Sequence, residues 1–333
     1  MPPAPRVTGQ DVAARAGVSR ATVSYVLNDV VGQPISPETR ARVLAAAAEL
    51  GYTPHAAARQ LRTGVSDLVL LAVPPFPPSL ALDMCISAFT TRLTELGYLA
   101  LVDPATQEVA GLEKTLARLQ PVALVATGEH LSAPLVTRLR AAGTRAVIGF
   151  GDGPLGFAPA IVFDQRAVTH VAMTHLADRG HRSVVAIMPS DPEFHWFRAG
   201  RQAGAQSAAD EHGIALTVVE SPLDHDRVAE VINGALSGRP RPDAILAYND
   251  DYALLALRAL VDAGARVPND VAVIGCDNLP VAELFTPRLT TVAVDMSALG
   301  TQIADALHQI LRTGEEPQVI PAPTPVVVVR DSA

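Results

Sequence analysis

The stretch DVAARAGVSRATVSYVLN, residues 11–28, decides how the amino end of the chain folds. Val12, Ala13 and Ala16 fall on one face of a first helical turn pattern, and Val23, Val26 and Leu27 fall on one face of a second. Gly17 separates them because it tolerates positive φ, and Ser19 restarts the chain as a helix N-cap. The second pattern sets Arg20, Thr22, Ser24 and Tyr25 away from its apolar face. A hairpin built for packing alone has no use for that outward set.

The neighbouring sequence extends the pattern. Thr8-Gly9-Gln10-Asp11 reads as a capping box, a hydroxyl N-cap with an acid three residues on. Ser36-Pro37-Glu38 opens a third helix, with proline at its first position and an acid in its first turn, running through RARVLAAAAEL to Gly51. Three short helices with a tight turn between the first two describe a helix-turn-helix unit. Pure packing is the competing reading of such a unit. Charge separates the two: residues 1–64 carry seven arginines and four acids, a net +3, within a chain of net −8, which leaves −11 on the remainder. A basic head on an acidic body predicts that the head alone approaches nucleic acid.

Residues 52–64, YTPHAAARQLRTG, are a linker. A helix this short is marginal alone in water, so its state depends on its surroundings. From residue 67 the texture changes to short, β-branched apolar runs, among them DLVLLAV (67–73), VALVAT (122–127), AIVFD (160–164), SVVAIM (183–188), AILAY (244–248) and VAVIGC (271–276). Helical patterns such as AVTHVAMTHLADRG and DYALLALRALVDAG lie between most of them. Alternation of this kind predicts parallel sheets with helices on both faces. The strands outnumber one small sheet, which predicts two α/β lobes with a cleft at the strand carboxyl ends. PVVVV (325–329) is a last strand, and the chain is expected to cross between lobes more than once. The expected divisions are 1–51 for the head, 52–66 for the linker or hinge and 67–333 for the body. Its N-lobe takes about 67–164 and 296–322, and its C-lobe about 165–295 and 323–333.

Other motifs carry little. GDGPLG (151–156) matches a dinucleotide fingerprint, but Pro154 and another strand follow where a helix is required, so it reads as a glycine-rich loop. His170, His175 and His181 are spaced five and six apart and do not stack on one helix face, so no metal site is expected. Cys85 and Cys276 are far apart and read as buried thiols. No nucleophile motif, metalloprotease motif or phosphate loop is present, so no enzyme and no cofactor are expected. No apolar run is long enough for a membrane span, and the amino end has no apolar segment of a secretory signal, which predicts a cytoplasmic protein.

The chain resembles the LacI/GalR family of bacterial transcription regulators from about residue 7 to about residue 330. The residues that carry the resemblance are VTGQDVAARAGVSRATVSYVLN, SPETRARVLAAAAELGYTPHAAARQLRTG, HLADRGHRSVVAI, AILAYNDDYALLALRALVDAGARVPNDVAVIGCDN and PRLTTV, in the family's order. The resemblance implies an all-α helix-turn-helix head and a two-lobed α/β body like the periplasmic sugar-binding proteins. It implies a homodimer on a pseudo-palindromic operator in double-stranded DNA, a higher oligomer being open, with a sugar or similar metabolite as effector. It places Arg20, Ala21 and Tyr25 at base edges in the major groove, and Thr22, Ser24 and Asn28 at phosphates. A phosphate contact is the alternative for Arg20. Leu61 matches the hinge leucine that wedges into the minor groove, or else packs a linker helix. Arg201, Asn249 and Asp277 match effector-binding positions, with Ser79 and Asp164 in the other lobe; Asn249 is also a natural helix cap. Trp196 and Phe197 stack on a ligand or pack. Three departures fall at the cleft: PPFPPSL after the first body strand, Ala205 in place of an aromatic, and Cys276-Asp277-Asn278 in place of an aromatic-Asp-Asp run. Two readings outside the resemblance stay open, a two-lobed enzyme acting on a small metabolite and a DNA binder that takes no ligand.

Overall fold

Thr8 starts the first helix as its capping box requires: its backbone N–H and its hydroxyl both donate to Asp11 Oδ2, each at 2.7 Å. Those two bonds hold the Asp11 carboxyl below the usual carboxylate range. The computed structural model describes residues 7–27, 34–52, 66–73, 79–103 and 109–333, the side chains of residues 109, 110, 193 and 196 excepted. It divides into two units, Met1–Ser66 and Asp67–Ala333.

The first unit contains α1 (Gly9–Ala16), α2 (Arg20–Leu27) and α3 (Pro37–Glu49). Gly17 leaves α1 at φ 66°, the left-handed conformation that ends a helix without strain in glycine. Ser19 Oγ then accepts from the Thr22 N–H at 3.0 Å, and Ser36 Oγ accepts from the Thr39 N–H at 3.2 Å. Val12, Ala13, Ala16, Val23, Val26, Val43, Ala46 and Ala47 form the core. Small residues predominate, so three short helices pack closely around a few valines.

The second unit alternates strand and helix. Its elements are β1 (Leu68–Ala72), α4 (Leu80–Glu95), β2 (Leu99–Asp103), α5 (Val109–Leu119), β3 (Ala123–Thr127), α6 (Ala133–Ala141), β4 (Ala146–Gly151) and β5 (Ala160–Val162). There follow α7 (Gln165–Asp178), β6 (Ser183–Pro189), α8 (His195–His212), β7 (Ala215–Ser221), α9 (His225–Ser237), β8 (Ala244–Ala247), α10 (Asp250–Asp262) and β9 (Ala272–Cys276). The chain closes with β10 (Thr290–Ala293), α11 (Met296–Thr313), β11 (Val319–Pro321) and β12 (Val326–Val328).

Among the described residues the strands form two six-stranded sheets, ordered β2-β1-β3-β4-β5-β11 and β7-β6-β8-β9-β10-β12. Every pairing is parallel except β10 with β12. Each sheet therefore has a switch in strand order, at β1/β3 and at β6/β8, where a crevice opens beyond the strand carboxyl ends. The chain passes between sheets after β5, after β10 and after β11. Strand β11 was not among the expected runs; it is short, half polar in context and paired only with β5.

One close helix crossing supports each lobe. A Cβ on Gly300 of α11 would lie 2.2 Å from the Cys85 carbonyl oxygen of α4. A Cβ on Gly204 of α8 would lie 2.1 Å from the Arg166 carbonyl oxygen of α7. Only glycine lets these backbones approach so nearly. The GDGPLG segment follows β4 as a loop and opens no helix. Asp224 caps α9 by accepting from the Arg227 N–H at 3.1 Å.

Candidate functional site

Helix α2 carries the first candidate surface. Val23 and Val26 are buried, which leaves Arg20 and Ala21 exposed and Thr22, Ser24 and Tyr25 half-exposed. The Thr22 hydroxyl lies 2.9 Å from Ser19 Oγ and so belongs to the cap of its own helix. Asn28 and Leu61, the other two expected DNA contacts, lie outside the described residues.

The second site is a cavity of about 290 Å³ between the two sheets of the body. It sits at the strand carboxyl ends, where the topology predicts it: Ala72 and Val73 close β1, Thr127 ends β3, and Tyr248-Asn249 and Asp277 follow β8 and β9. Ser79, Arg201, Asn249, Asp277 and Phe197 of the expected set line it together. The Trp196 side chain lies outside the described residues. Asp164 does not line the cavity. Its carboxylate is exposed and caps α7, with Oδ1 accepting from the Arg166 and Ala167 N–H groups at 3.0 Å each. An acid between a strand and a helix is a good N-cap, and here that role takes its oxygen. The next residue, Gln165, reaches the cavity instead.

Arg201 organises the C-terminal wall. It is 5 % exposed, and its guanidinium lies 4.3 Å from the Tyr248 ring centroid. Its Nε donates to Gln165 Oε1 at 2.8 Å, Nη1 donates to the Tyr248 carbonyl, and Nη2 stands 3.5 Å from Asp277 Oδ1. Burial opposes its charge, but Tyr248 and Asp277 outweigh burial and leave its pKa above the ordinary arginine value. Burial lifts the Asp277 carboxyl to about 6, against the pull of Arg201. Asp277 has φ 104° and Asn278 φ 52°. Two successive left-handed residues are uncommon outside glycine and are held here by bonds to the next strand: Asp277 N–H donates to the Val292 carbonyl at 2.8 Å, and Asn278 N–H to Thr291 Oγ1 at 3.3 Å. The turn aims the Asp277 carboxylate at Arg201 and the cavity.

Asn249 caps a helix and lines the cavity. Its Oδ1 caps α10 by accepting from the Tyr252 N–H at 3.1 Å, and its Nδ2 donates to Asp251 at 3.4 Å on the cavity wall. Behind it Asp250 is fully buried, accepting from the Leu279 N–H at 2.7 Å and from Thr291 Oγ1 at 2.5 Å. Burial pushes its carboxyl up to about 7 despite both bonds. Gln165, Tyr248 and Asp251 were not foreseen as lining residues. Tyr248 and Asp251 flank Asn249 beyond the end of β8, and that position was the available signal. The N-terminal wall was also unforeseen as a wall: Leu71, Ile86, Phe163, Met296, Leu299 and Ile303 line the cavity. No group of three or more metal-ligating side chains occurs among the described residues. No helix there is long and apolar enough to cross a membrane.

Comparison with known proteins bears on both sites. Residues 8–55 match the family described as bacterial regulatory proteins, lacI family, and residues 173–333 match the periplasmic binding protein-like domain. The HTH-type transcriptional repressor PurR of Escherichia fergusonii is 32% identical over 326 residues, covering 94% of this chain and 93% of that protein. PurR of an Escherichia coli strain shows the same identity and coverage. The lac repressor dimer bound to operator and the anti-inducer ONPF superposes with a TM-score of 0.80 at 26% identity, over 98% of this chain and 99% of that one. The transcriptional regulator CelR in complex with cellobiose gives a TM-score of 0.65 at 27% identity, over 98% and 100%. An exposed face on α2, two lobes around a cavity and 32% identity to PurR over 94% of this chain lead to one conclusion: the chain belongs to the lacI family of bacterial regulatory proteins.

Proposed function

We propose that this regulator is a repressor that binds a two-fold operator as a homodimer and answers to a small molecule held between the lobes of its body. The observation that carries the reading is the division of α2. Val23 and Val26 anchor it in the head, while Arg20, Ala21 and Tyr25 stay available on the other side. A helix so divided enters a major groove with its polar side on base edges and phosphates. Arg20 suits a bidentate contact to guanine, Ala21 suits an apolar contact such as a thymine methyl, and Asn28 and Leu61 add a phosphate contact and a minor-groove wedge. Exposed Leu80, Met84, Leu99 and Leu101 give the N-terminal lobe apolar surface for a second copy to cover. The effector binds without turnover, and Ser79, Arg201, Asn249 and Asp277 contact it. Occupancy shifts operator affinity by a coupling of about 1–3 kcal/mol. Its work at operator DNA places the protein in the cytoplasm.

The test is selection of bound sites from random and genomic duplexes by the full-length protein, followed by the Arg20→Ala variant. A pseudo-palindromic site is expected, with base preference lost in the variant at one symmetric pair of positions. Each lost bidentate contact corresponds to about 1–3 kcal/mol of discrimination. Failure to enrich any site overturns the reading, and unchanged base preference reassigns Arg20 to a phosphate.

A further inference from the structure

The amino end of α10 carries three polar residues in a row, and two of them already serve it. Asn249 caps the helix through the Tyr252 N–H, and Asp251 adds an acid to the first turn at the cavity wall. Asp250 stands between them, completely buried and absent from the cavity lining. A carboxyl taken out of water is costly unless both oxygens are bonded. Both bonds of Asp250 leave the helix. Oδ2 accepts from the Leu279 N–H at 2.7 Å, and Oδ1 accepts from the Thr291 hydroxyl at 2.5 Å. Space is kept for it as well, since a Cβ on Gly275 of β9 would lie 2.3 Å from Asp250 Oδ1.

These partners converge on one turn. Thr291 Oγ1 also accepts from the Asn278 N–H at 3.3 Å, so two successive N–H groups of the turn end on Asp250, one directly and one through Thr291. From the outer side Arg330, its side chain 8% exposed, donates to Asn278 Oδ1 at 2.7 Å. The turn requires such a hold. Asn278 at φ 52° sits where asparagine is tolerated, but Asp277 at φ 104° does not. If the turn is released, Asp277 returns to negative φ, and that rotation carries its carboxylate away from Arg201 Nη2.

We infer that Asp250 is a positioning residue for the effector site: from behind the cavity wall it holds the 277–279 turn in the left-handed shape that keeps the Asp277 carboxylate on Arg201. The inference rests on the effector reading above for the use made of Asp277, while the hold itself belongs to the protein without ligand.

NMR titration of the full-length protein, labelled with 13C at the aspartate carboxyl groups, tests the hold. The Asp277 signal is the one missing from Asp277→Asn. In the wild type Asp277 titrates at about 6, because burial outweighs the pull of Arg201 and Asp251 also opposes its charge. In Asp250→Ala the turn relaxes and the carboxyl reaches water, so its acid dissociation constant is expected to rise at least tenfold, toward the ordinary aspartate value of about 3.9. Asp250→Asn removes the same charge but accepts from Leu279 and donates to Thr291, and is expected to keep the wild-type titration. Hydrogen exchange gives a second reading: the Asn278 and Leu279 amides are expected to exchange at least tenfold faster in Asp250→Ala than in Asp250→Asn, relative to the amides of β6. Thr291→Val cuts the link to Asn278 at almost constant volume and carries the test if Asp250→Ala does not fold, with both readings moving the same way. Unchanged readings in the variant that folds, or equal changes in Asp250→Asn, overturn the role of Asp250. No ligand enters either measurement. An operator affinity that no metabolite moves would overturn the effector reading and leave the hold standing; unchanged titration and exchange would do the reverse.

Discussion

Replacing Arg201 by methionine removes the charge at the centre of the C-terminal wall while keeping a side chain of comparable reach. Two charge-assisted hydrogen bonds disappear, to Gln165 Oε1 and to the Tyr248 carbonyl, and Asp277 loses its only nearby cation among the described lining residues. Bonds of that kind contribute about 1.5–3 kcal/mol each, and stranding a buried partner costs about 3–5 kcal/mol in all. Methionine recovers part through its contact with the Tyr248 ring, in place of a cation–π contact of similar size. The expected loss is about 3–4 kcal/mol near neutral pH. Its pH dependence identifies the cause. The folded-state pKa of Asp277 is raised, to about 6, so the carboxyl is mostly protonated well below that value and there is little ion pair to lose. Without Arg201 the folded pKa rises further, and stability falls as pH climbs through it. The cost at about pH 5 is therefore expected to be smaller than at about pH 8 by roughly 1–2 kcal/mol. Denaturant unfolding of the wild type and variant at both values measures the difference. A cost that does not change with pH, or one under about 1 kcal/mol at the higher value, refutes the reasoning.

Two further outcomes follow from the same region. Asp250 has a folded-state pKa raised to about 7 by burial, with Asp277 and Asp251 raising it as well, so its contribution is present below the unfolded value and is lost as pH rises through about 7. Asp250→Asn imitates the protonated carboxyl toward Leu279 and Thr291, and a thermal melt series should show a flatter decline of Tm above pH ~5; an unchanged slope would exonerate Asp250. Gly204→Ala forces a methyl to 2.1 Å from the Arg166 carbonyl and 2.6 Å from Thr169 Oγ1. The net cost is expected to be about 1–3 kcal/mol despite a helix-propensity gain of about 1 kcal/mol, read by denaturant unfolding. A variant as stable as the wild type would mean that α7 and α8 separate freely.

The local signals were the most legible part of the chain. Thr8 with Asp11, Gly17, Ser19 and Ser36-Pro37 act within a few residues of themselves, so their chemistry is complete in the sequence. The alternation of apolar runs and helical patterns was enough for a parallel α/β body, since strands covered on both faces lose their polar positions. Arg201, Asn249 and Asp277 lie far apart in the chain and converge on one cavity wall. Gln165 could not be told from Asp164 beforehand, because one residue of phase at the first turn of α7 decides which side chain caps and which points inward. The apolar wall was hidden for a different reason. Phe89, Leu299 and Ile303 have the spacing of core residues, and periodicity records that a side chain leaves water without saying whether protein or ligand covers it.

The three passages of the chain between sheets bear on how the protein is made. Strand β11 forms one edge of the first sheet and β12 one edge of the second, and both are made after every other strand of the body. Until then β5 and β10, interior strands of the finished sheets, stand as open edges at once, each able to recruit a foreign strand. A chain cut before residue 319 would lack an edge strand in both sheets, so such damage should drain the whole body into aggregates rather than spare its earlier half.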